Sequence, residues 1–293
     1  MNKLRAFFLA CLCWQAAHAD IVVKDDNGVE LRLRQPARRV IALAPHIAEA
    51  LMAAGAGERL VGTVQYSDYP EAVKKIPRVG SYVGFDIEAI LALKPDLVIG
   101  WQSGNPPAHI QKIRQLGIPV YMTQPNQIEG IARDLERYGQ LMGNAEGARA
   151  AAAFRARLAA LRERYSSQTK LRIFYQVWKE PLMTVGRTQI ISDAIRICGG
   201  DNVFDRLEQL APTVTVEAVL AANPEVIVAS GMDAARPEWL DDWRRWPQLV
   251  AVARGNLYFI PPDIIQRHTP RLLDGAEQLC RHLATARGKR RMD

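Results

Sequence analysis

Histidine is the residue type here that could most readily act in catalysis or bind a metal. His46, His109, His268 and His282 lie far apart along the chain, and none has the short spacing of a zinc motif. His46 and His268 could meet across a cleft between two halves of a fold, but a surface or hydrogen-bonded histidine is the default interpretation of each. The sequence therefore predicts no metal site and no catalytic residue.

A glycine-rich segment, residues 55–62, resembles part of a dinucleotide-binding loop. Its last glycine comes too late, and the segment follows a predicted helix, whereas the dinucleotide fingerprint must follow a strand and open a helix. A helix stop followed by a turn is the better interpretation. We therefore expect no cofactor.

Two glutamates occupy the same place in two similar segments. Residues 86–99 align without gaps on residues 215–228, and both segments predict a helix, a proline and a strand. Glu88 and Glu217 fall in the first turn of these helices, where the helix dipole stabilises a negative charge by a few tenths to about 1 kcal/mol. Dipole complementarity alone would explain them. The alternative is a symmetric pair of exposed carboxylates offered to a basic partner.

The elements around these segments indicate an α/β fold with two lobes. Short apolar runs that suit buried parallel strands alternate with helical segments in both halves. Between the halves, residues 144–166 predict one long helix, with Asn144 as its N-cap. We expect two Rossmann-like lobes with mainly parallel sheets, residues 20–143 and 167–293, joined by that helix. A cleft between lobes is the default ligand site.

Aromatic residues follow several of the predicted strands. Tyr66, Tyr82 and Trp101 come at or beyond strand ends in the first half, and Trp178 follows a strand in the second. Side chains past the carboxyl ends of parallel strands line the ligand crevice of such folds. Large flat rings there predict a large, partly apolar ligand, ordinary loop packing being the alternative. By contrast Trp239, Trp243 and Trp246 recur at helical steps and predict core.

The first 19 residues predict a secretory signal. Two basic residues precede an apolar run that is too short to span a membrane, and Ala17 and Ala19 suit cleavage after Ala19. The alternative is a lipoprotein acylated at Cys11. The mature chain keeps Cys198 and Cys280, which in an oxidising compartment predict a disulfide, with two buried free thiols as the alternative.

The net charge of +7 is spread through helical segments, and its one dense run, residues 287–291, predicts a solvated C-terminal tail. No basic helix interleaved with aromatic residues is present. We therefore expect no nucleic-acid partner.

Four blocks of sequence resemble a known family. The signal, the two lobes, the linking helix and the aromatic cleft are similar to the periplasmic substrate-binding proteins of ABC importers that use a single rigid helix. Within that family, cobalamin-binding members are the most similar. The blocks that carry the resemblance are YSDYP at 66–70, DIEAILALKPD at 86–96, CGGDNVF at 198–204 and QRHTPR at 266–271.

The resemblance implies roles for particular residues. Tyr66, Tyr82, Trp101, Trp178 and Arg267 match ligand-contacting positions, with Trp178 displaced by up to one place. At position 211, where the family can have a tryptophan in the cleft, this chain has alanine. The full set of aromatic side chains around the ligand is therefore not kept. The resemblance also implies that Cys198 and Cys280 form the disulfide, and that Glu88 and Glu217 dock on arginines of the permease dimer.

These expectations amount to a monomeric periplasmic protein that captures cobalamin and delivers it to an inner-membrane ABC importer complex, without catalysing a reaction. The alternatives are a haem or ferric-siderophore binder of the same family, or a secreted α/β enzyme using His46 and His268. The sequence does not separate cobalamin from cobinamide.

Overall fold

A computed structural model describes residues 20–81, 83–232 and 234–290. The predicted signal, Cys11 and Tyr82 lie outside these residues. Within the described part of the chain, no helix is both long and apolar enough to cross a membrane.

The N-terminal lobe is built on a four-stranded parallel sheet in the order β4-β3-β7-β8. A small antiparallel pair, β1 and β2, precedes it. The elements are β1 (Ile21–Lys24), β2 (Glu30–Leu33), β3 (Val40–Ala42), α1 (Pro45–Ala53), β4 (Leu60–Gly62), β5 (Gly80–Ser81), β6 (Gly84–Phe85), α2 (Ile87–Ala92), β7 (Leu97–Trp101), α3 (Pro107–Gln115), β8 (Val120–Thr123) and α4 (Ile128–Met142), with 3-10 helices at Gly57–Arg59 and Glu71–Lys75.

The long helix α5 (Glu146–Tyr165) follows, as the apolar spacing predicts. Asn144 caps its start, because its Oδ1 accepts hydrogen bonds from the backbone N–H of Glu146 and Gly147 at 3.0 and 3.2 Å. The preceding helix α4 was not predicted, and it packs antiparallel along α5. The two backbones are so close that a Cβ on Gly147 would lie 2.3 Å from the carbonyl oxygen of Leu135. The linking helix is therefore braced along its length.

The C-terminal lobe repeats the architecture with a parallel sheet in the order β10-β9-β11-β12. In each of the two parallel sheets, the strand that comes first in the chain lies between the second and the third strands of that sheet. The elements are β9 (Leu171–Gln176), α6 (Ile190–Ile197), β10 (Gly200–Asn202), α7 (Val216–Ala222), β11 (Val226–Ala229), α8 (Val250–Ala253), β12 (Leu257–Phe259), α9 (Pro262–Ile265) and α10 (Leu272–Arg290), with a 3-10 helix at Glu238–Arg245. The predicted α/β fold with parallel sheets and two lobes is confirmed.

The internal repeat extends to backbone detail. Lys94 and Asn223, which are equivalent in the alignment, both adopt the left-handed conformation, with φ of +45° and +41°. Such values are uncommon outside glycine. The caps of the two preceding helices are also equivalent, since Asp86 and Thr215 each accept a hydrogen bond from the backbone N–H three residues later. The two helices are therefore held in the same way in each lobe.

The tryptophan stripe is core, as predicted. Trp243 is 3% exposed, its ring packs against Phe174 at 5.6 Å, and its Nε1 donates to Gln176 Oε1 at 2.7 Å. Trp239 and Trp246 are partly buried against the same cluster.

The C-terminal end is held by a disulfide and a buried arginine. Cys198 and Cys280 form the predicted disulfide between the end of α6 and the middle of α10. The expectation that the basic run beginning at Arg287 is a solvated tail is wrong for Arg287, which is buried, and residues 287–290 continue helix α10. Arg287 is 8% exposed and donates to the backbone oxygens of Thr169 and Cys198, both at 2.7 Å, and of Gly199 at 2.9 Å. Because these backbone oxygens accept hydrogen bonds from the guanidinium, the charge of Arg287 can be buried.

Candidate functional site

A cavity of about 290 Å³ lies between the two lobes. Its lining includes Trp101, Gln124 and Asn126 from the N-terminal lobe and Gln189, Ala211 and His268 from the C-terminal lobe. The lining is mostly apolar with a few amide groups, which is typical of a small-molecule site. The predicted cleft is thus formed by both halves of the chain.

Trp101 is the predicted aromatic residue that the structure places in this cavity. It is the last residue of β7, and its backbone N–H donates to Asn105 Oδ1 at 2.6 Å. Asn105 in turn donates from Nδ2 to the carbonyl oxygen of Leu43 at 2.9 Å. Gly104 makes room for the indole, because a Cβ there would lie 1.8 Å from Cε3 of Trp101. The local sequence therefore fixes this ring at the strand end.

His46 and His268 meet at the cleft, although they are far apart in the sequence. Their ring centroids are 5.1 Å apart in an edge-to-face arrangement, and His46 also packs edge-on to Trp101 at 5.1 Å. His46 lies in the first turn of α1 in one lobe, and His268 follows α9 in the other. The meeting that the sequence left open is therefore present, and each histidine is buried instead of lying at the surface.

Burial keeps both imidazoles neutral. Removal from water lowers the pKa of His268 to about 4. It also lowers the pKa of His46 well below its ordinary value, with further lowering by the charges of His268 and Arg267. Neutral imidazole carries a free lone pair, so the cleft contains two groups able to accept a hydrogen bond or bind a metal.

A network of ion pairs joins the lobes next to the histidines. Arg271 donates two hydrogen bonds of 2.7 Å to Glu49, which lies on α1 and is 3% exposed. The guanidinium of Arg271 also lies 3.7 Å from the ring centroid of Tyr69. Arg267 pairs with Asp68 across the lobes at 2.7 Å and with Asp263 of its own lobe at 2.9 Å. These contacts hold the two lobes together next to His268, which lines the cavity.

Arg267, a predicted ligand contact, already pairs with carboxylates of this network. The cavity lining, as far as the described residues form it, does not include this side chain. Burial alone would raise the pKa of Asp68, but the hydrogen bond and charge of Arg267 outweigh it and lower that pKa. A ligand that reached Arg267 would have to compete with two carboxylates.

Tyr66 and Trp178 are exposed and lie outside the cavity lining. Tyr66 is 72% exposed and sits in the left-handed region with φ of +64°. Trp178 is 38% exposed, and its Nε1 donates to the carbonyl oxygen of Glu180 at 3.0 Å. Ala211, the departure from the aromatic cage, does line the cavity. Trp101 and Ala211 therefore line the cavity together, whereas Tyr66 and Trp178 do not line it.

Glu88 and Glu217 are both exposed, in the first turns of α2 and α7. A hydrogen bond from its own backbone N–H, followed by one from Thr215, lowers the pKa of Glu217. The side chains are therefore available to a partner.

Sequence reasoning missed the interlobe network. Asp68, Tyr69 and Arg271 lie within the blocks that carry the family resemblance, but nothing in the sequence showed that they contact one another. Glu49 did leave a signal, because it is the one charged residue in the otherwise apolar segment 47–54. A charge in that place requires a partner.

The described residues contain no cluster of three or more histidine, cysteine or acidic side chains that could hold a metal ion. Two parallel-sheet lobes joined by a braced helix, with a mostly apolar cavity between them, define a two-lobed binding protein. The chain belongs to the periplasmic binding protein family, whose sequence profile matches residues 40–264. Membership of this family implies a binding protein of the periplasm.

Three known proteins illustrate the similarity. The vitamin B12-binding protein of Vibrio campbellii is 38% identical over 260 residues, which are 87% of this chain and 92% of that protein. The crystal structure of the periplasmic vitamin B12-binding protein BtuF of Vibrio cholerae superposes with a TM-score of 0.79 and 38% identity, covering 86% and 98% of the chains. The periplasmic heme-binding protein RhuT of Roseiflexus sp. shares the fold, with a TM-score of 0.72, 24% identity and coverage of 85% and 98%.

Proposed function

We propose that this chain captures cobalamin, or another corrinoid, between its lobes and delivers it to an inner-membrane ABC importer. The observation that carries the proposal is the similarity in sequence and fold, over 86–87% of this chain, to proteins named for binding vitamin B12. The mostly apolar cavity beside Trp101 supports it, because a corrin ring presents a large flat face to an aromatic side chain.

Capture requires the cleft to widen. A corrin ring with its amide side chains is larger than a cavity of about 290 Å³. In the widened cleft, Tyr66, Tyr82, Trp101 and Trp178 would pack on the corrin and its substituents. Arg267 would leave Asp68 and hydrogen-bond an amide or the phosphate. The exposure of Tyr66 and Trp178 is consistent with rings that a bound ligand would cover.

Calorimetric titration of the mature protein with cyanocobalamin tests this function. We expect binding at micromolar concentrations or tighter, weakened at least tenfold by Trp101→Ala, which corresponds to about 1.4 kcal/mol. Trp246→Phe is the matched control, since that ring packs in the core of the C-terminal lobe. No binding of cyanocobalamin, together with binding of haem or a ferric siderophore, would reject cobalamin in favour of the other ligand classes of this fold.

Docking on the importer is the second part of the proposal. Glu88 and Glu217 are exposed on equivalent helices, so they could form salt bridges with basic residues of a permease dimer. Reversing both charges, as Glu88→Lys with Glu217→Lys, should abolish stimulation of the importer ATPase and leave the calorimetric affinity for cyanocobalamin unchanged. Glu163→Lys, an exposed change on α5, is the control. Undiminished stimulation by the double variant would show that docking lies elsewhere.

The chain would act as a monomer in the periplasm after cleavage behind Ala19. It would need no cofactor and would release its ligand chemically unchanged. The disulfide between Cys198 and Cys280 supports an oxidising compartment. The intact mass of protein recovered from the periplasm checks the cleavage site, light scattering checks the monomer, and the spectrum of the released corrinoid checks for turnover. A mass retaining residues 1–19, or one showing acylation at Cys11, would contradict the cleavage.

A further inference from the structure

His268 is the one ionisable side chain among the described residues that line the interlobe cavity. It belongs to the loop after α9, and its ring packs edge-on to His46 at 5.1 Å and to Trp101 at 6.2 Å. It is 9% exposed, and His46 is 8% exposed. An imidazole therefore lies at the wall of the cavity and beside the aromatic ring of the proposed corrin site.

The hydrogen bonding of this histidine pair is incomplete. Nδ1 of His268 and Nε2 of His46 are buried, and they find no hydrogen-bond partner in the part of the chain that the structure describes. Buried polar side-chain atoms are normally paired, and an exception calls for an explanation. Because Nδ1 of His268 has no partner, no hydrogen bond at that atom fixes the tautomer or the rotation of the ring. Nδ1 itself is buried, so this ring would have to turn to bring that lone pair to a ligand in the cavity.

The surroundings favour a metal over an anion as that ligand. Both rings are buried, which disfavours the imidazolium that an anion would need, and neutral imidazole is the commonest protein ligand of transition metals. A free ion would have two protein donors at most here, since no third histidine, cysteine or carboxylate completes a metal cluster within the described chain. A metal complex with a single open position needs only one donor.

We propose that His268 is an axial ligand to the cobalt of corrinoids that lack their own nucleotide base, such as cobinamide. The inference rests on the proposed function and names a substrate class of the same cleft. One ring nitrogen of His268 would form a bond to Co(III) as an axial water molecule leaves. A neutral donor replaces a neutral donor, so no electron or proton is transferred. Corrinoids whose axial positions are already occupied would bind without this bond.

The visible absorption of the corrin reports the axial ligand directly. On titration with diaquacobinamide, we expect the wild-type protein to shift the corrin bands to the positions of an imidazole–cobinamide complex prepared in solution. His268→Ala should lose the shift, and its ratio of affinities for diaquacobinamide over cyanocobalamin should fall at least tenfold. Added imidazole should restore the shift in this variant. His109→Gln, on α3 and packed against Phe85, is the matched control and should retain it.

The outcomes separate this inference from the proposed function. Binding of diaquacobinamide by the wild-type protein without a shift would overturn the inference and leave corrinoid capture standing. A shift that persists in His268→Ala, or that is lost in His109→Gln, would also overturn it. No binding of either corrinoid would reject both. The wild-type spectrum decides the main point even if His268→Ala does not fold, and His268→Gln provides a second variant.

Discussion

The ion pair between Glu49 and Arg271 joins the lobes, and breaking it from one side leaves a buried charge. Both oxygens of Glu49 accept hydrogen bonds of 2.7 Å from Arg271, and the glutamate side chain is 3% exposed. Removing one partner of a buried pair costs about 3–5 kcal/mol. Arg267 Nη1 lies 4.0 Å from Glu49 Oε2, so a positive charge would still lie near the buried carboxylate after Arg271 is replaced. We therefore expect Arg271→Met to lower the free energy of unfolding by about 3 kcal/mol, the lower end of that range.

Urea denaturation of a double-mutant cycle measures this energy. The cycle combines Arg271→Met with Glu49→Gln, which removes the buried charge and keeps the shape of the side chain. Replacing both members of a buried pair is often close to neutral. The double variant should therefore be more stable than Arg271→Met alone, giving a coupling energy of about 1–3 kcal/mol. A loss below about 1 kcal/mol in Arg271→Met, or a double variant no more stable than it, would refute the reasoning.

Three further predictions concern stability. Cys198→Ser with Cys280→Ser should lower the free energy of unfolding by about 4 kcal/mol, because the cross-link spans 82 residues, and an unchanged urea midpoint would contradict this. Arg287→Met should cost about 2–3 kcal/mol, because three backbone oxygens lose their donor, whereas the exposed control Arg281→Met should cost less than about 0.5 kcal/mol in the same assay. Burial, with a neighbouring carboxylate, raises the pKa of Asp134 to about 7, so the folded chain holds that proton more tightly than the unfolded chain does. This stabilisation is complete below about pH 4 and is lost as the pH rises to about 7. Asp134→Asn should therefore flatten the fall in thermal midpoint between about pH 4 and pH 7, and an equal slope in the variant would count against this prediction.

Short-range signals in the sequence were sufficient to predict most of the structure that the two lobes repeat. The alignment of residues 86–99 on 215–228 predicted a helix, a turn and a strand in each lobe, and the structure places left-handed residues at the equivalent positions 94 and 223. Each of these units is set by its own cap, its own turn and its own apolar strand. Such features depend on residues close together in the chain, and a sequence reveals them directly.

Helix α4 was missed although its apolar residues do recur at helical steps. Ile128, Ile131, Leu135 and Tyr138 form a buried stripe. Gly130 and Gly139 weaken the helical preference of this segment, and the need for Gly139 is tertiary. A Cβ on Gly139 would lie 3.0 Å from the Cα of Gly147 on the neighbouring helix. Only the packed pair of helices explains why glycine is tolerated there.

The candidate site was predicted least well where it depends on partners distant in the chain. Arg287 looked like part of a solvated charge run, because the carbonyl oxygens that receive it come from the loops near residues 169 and 199. His46 and His268 are separated by most of the mature chain, so their contact follows from how the lobes pack together. Arg267 illustrates the same limit, since family resemblance predicted a ligand contact but could not predict that this side chain also pairs with two carboxylates.

The equivalence of α2 and α7 constrains the stoichiometry of any assembly that uses both. The two helices carry equivalent caps, the same left-handed exit and the same glutamate, so each presents a similar local surface. A partner that binds Glu88 and Glu217 alike must offer two equivalent basic patches, which a symmetric dimer does. One copy of this chain would then saturate both patches. Docking through both glutamates therefore predicts a ratio of one chain to two partner subunits.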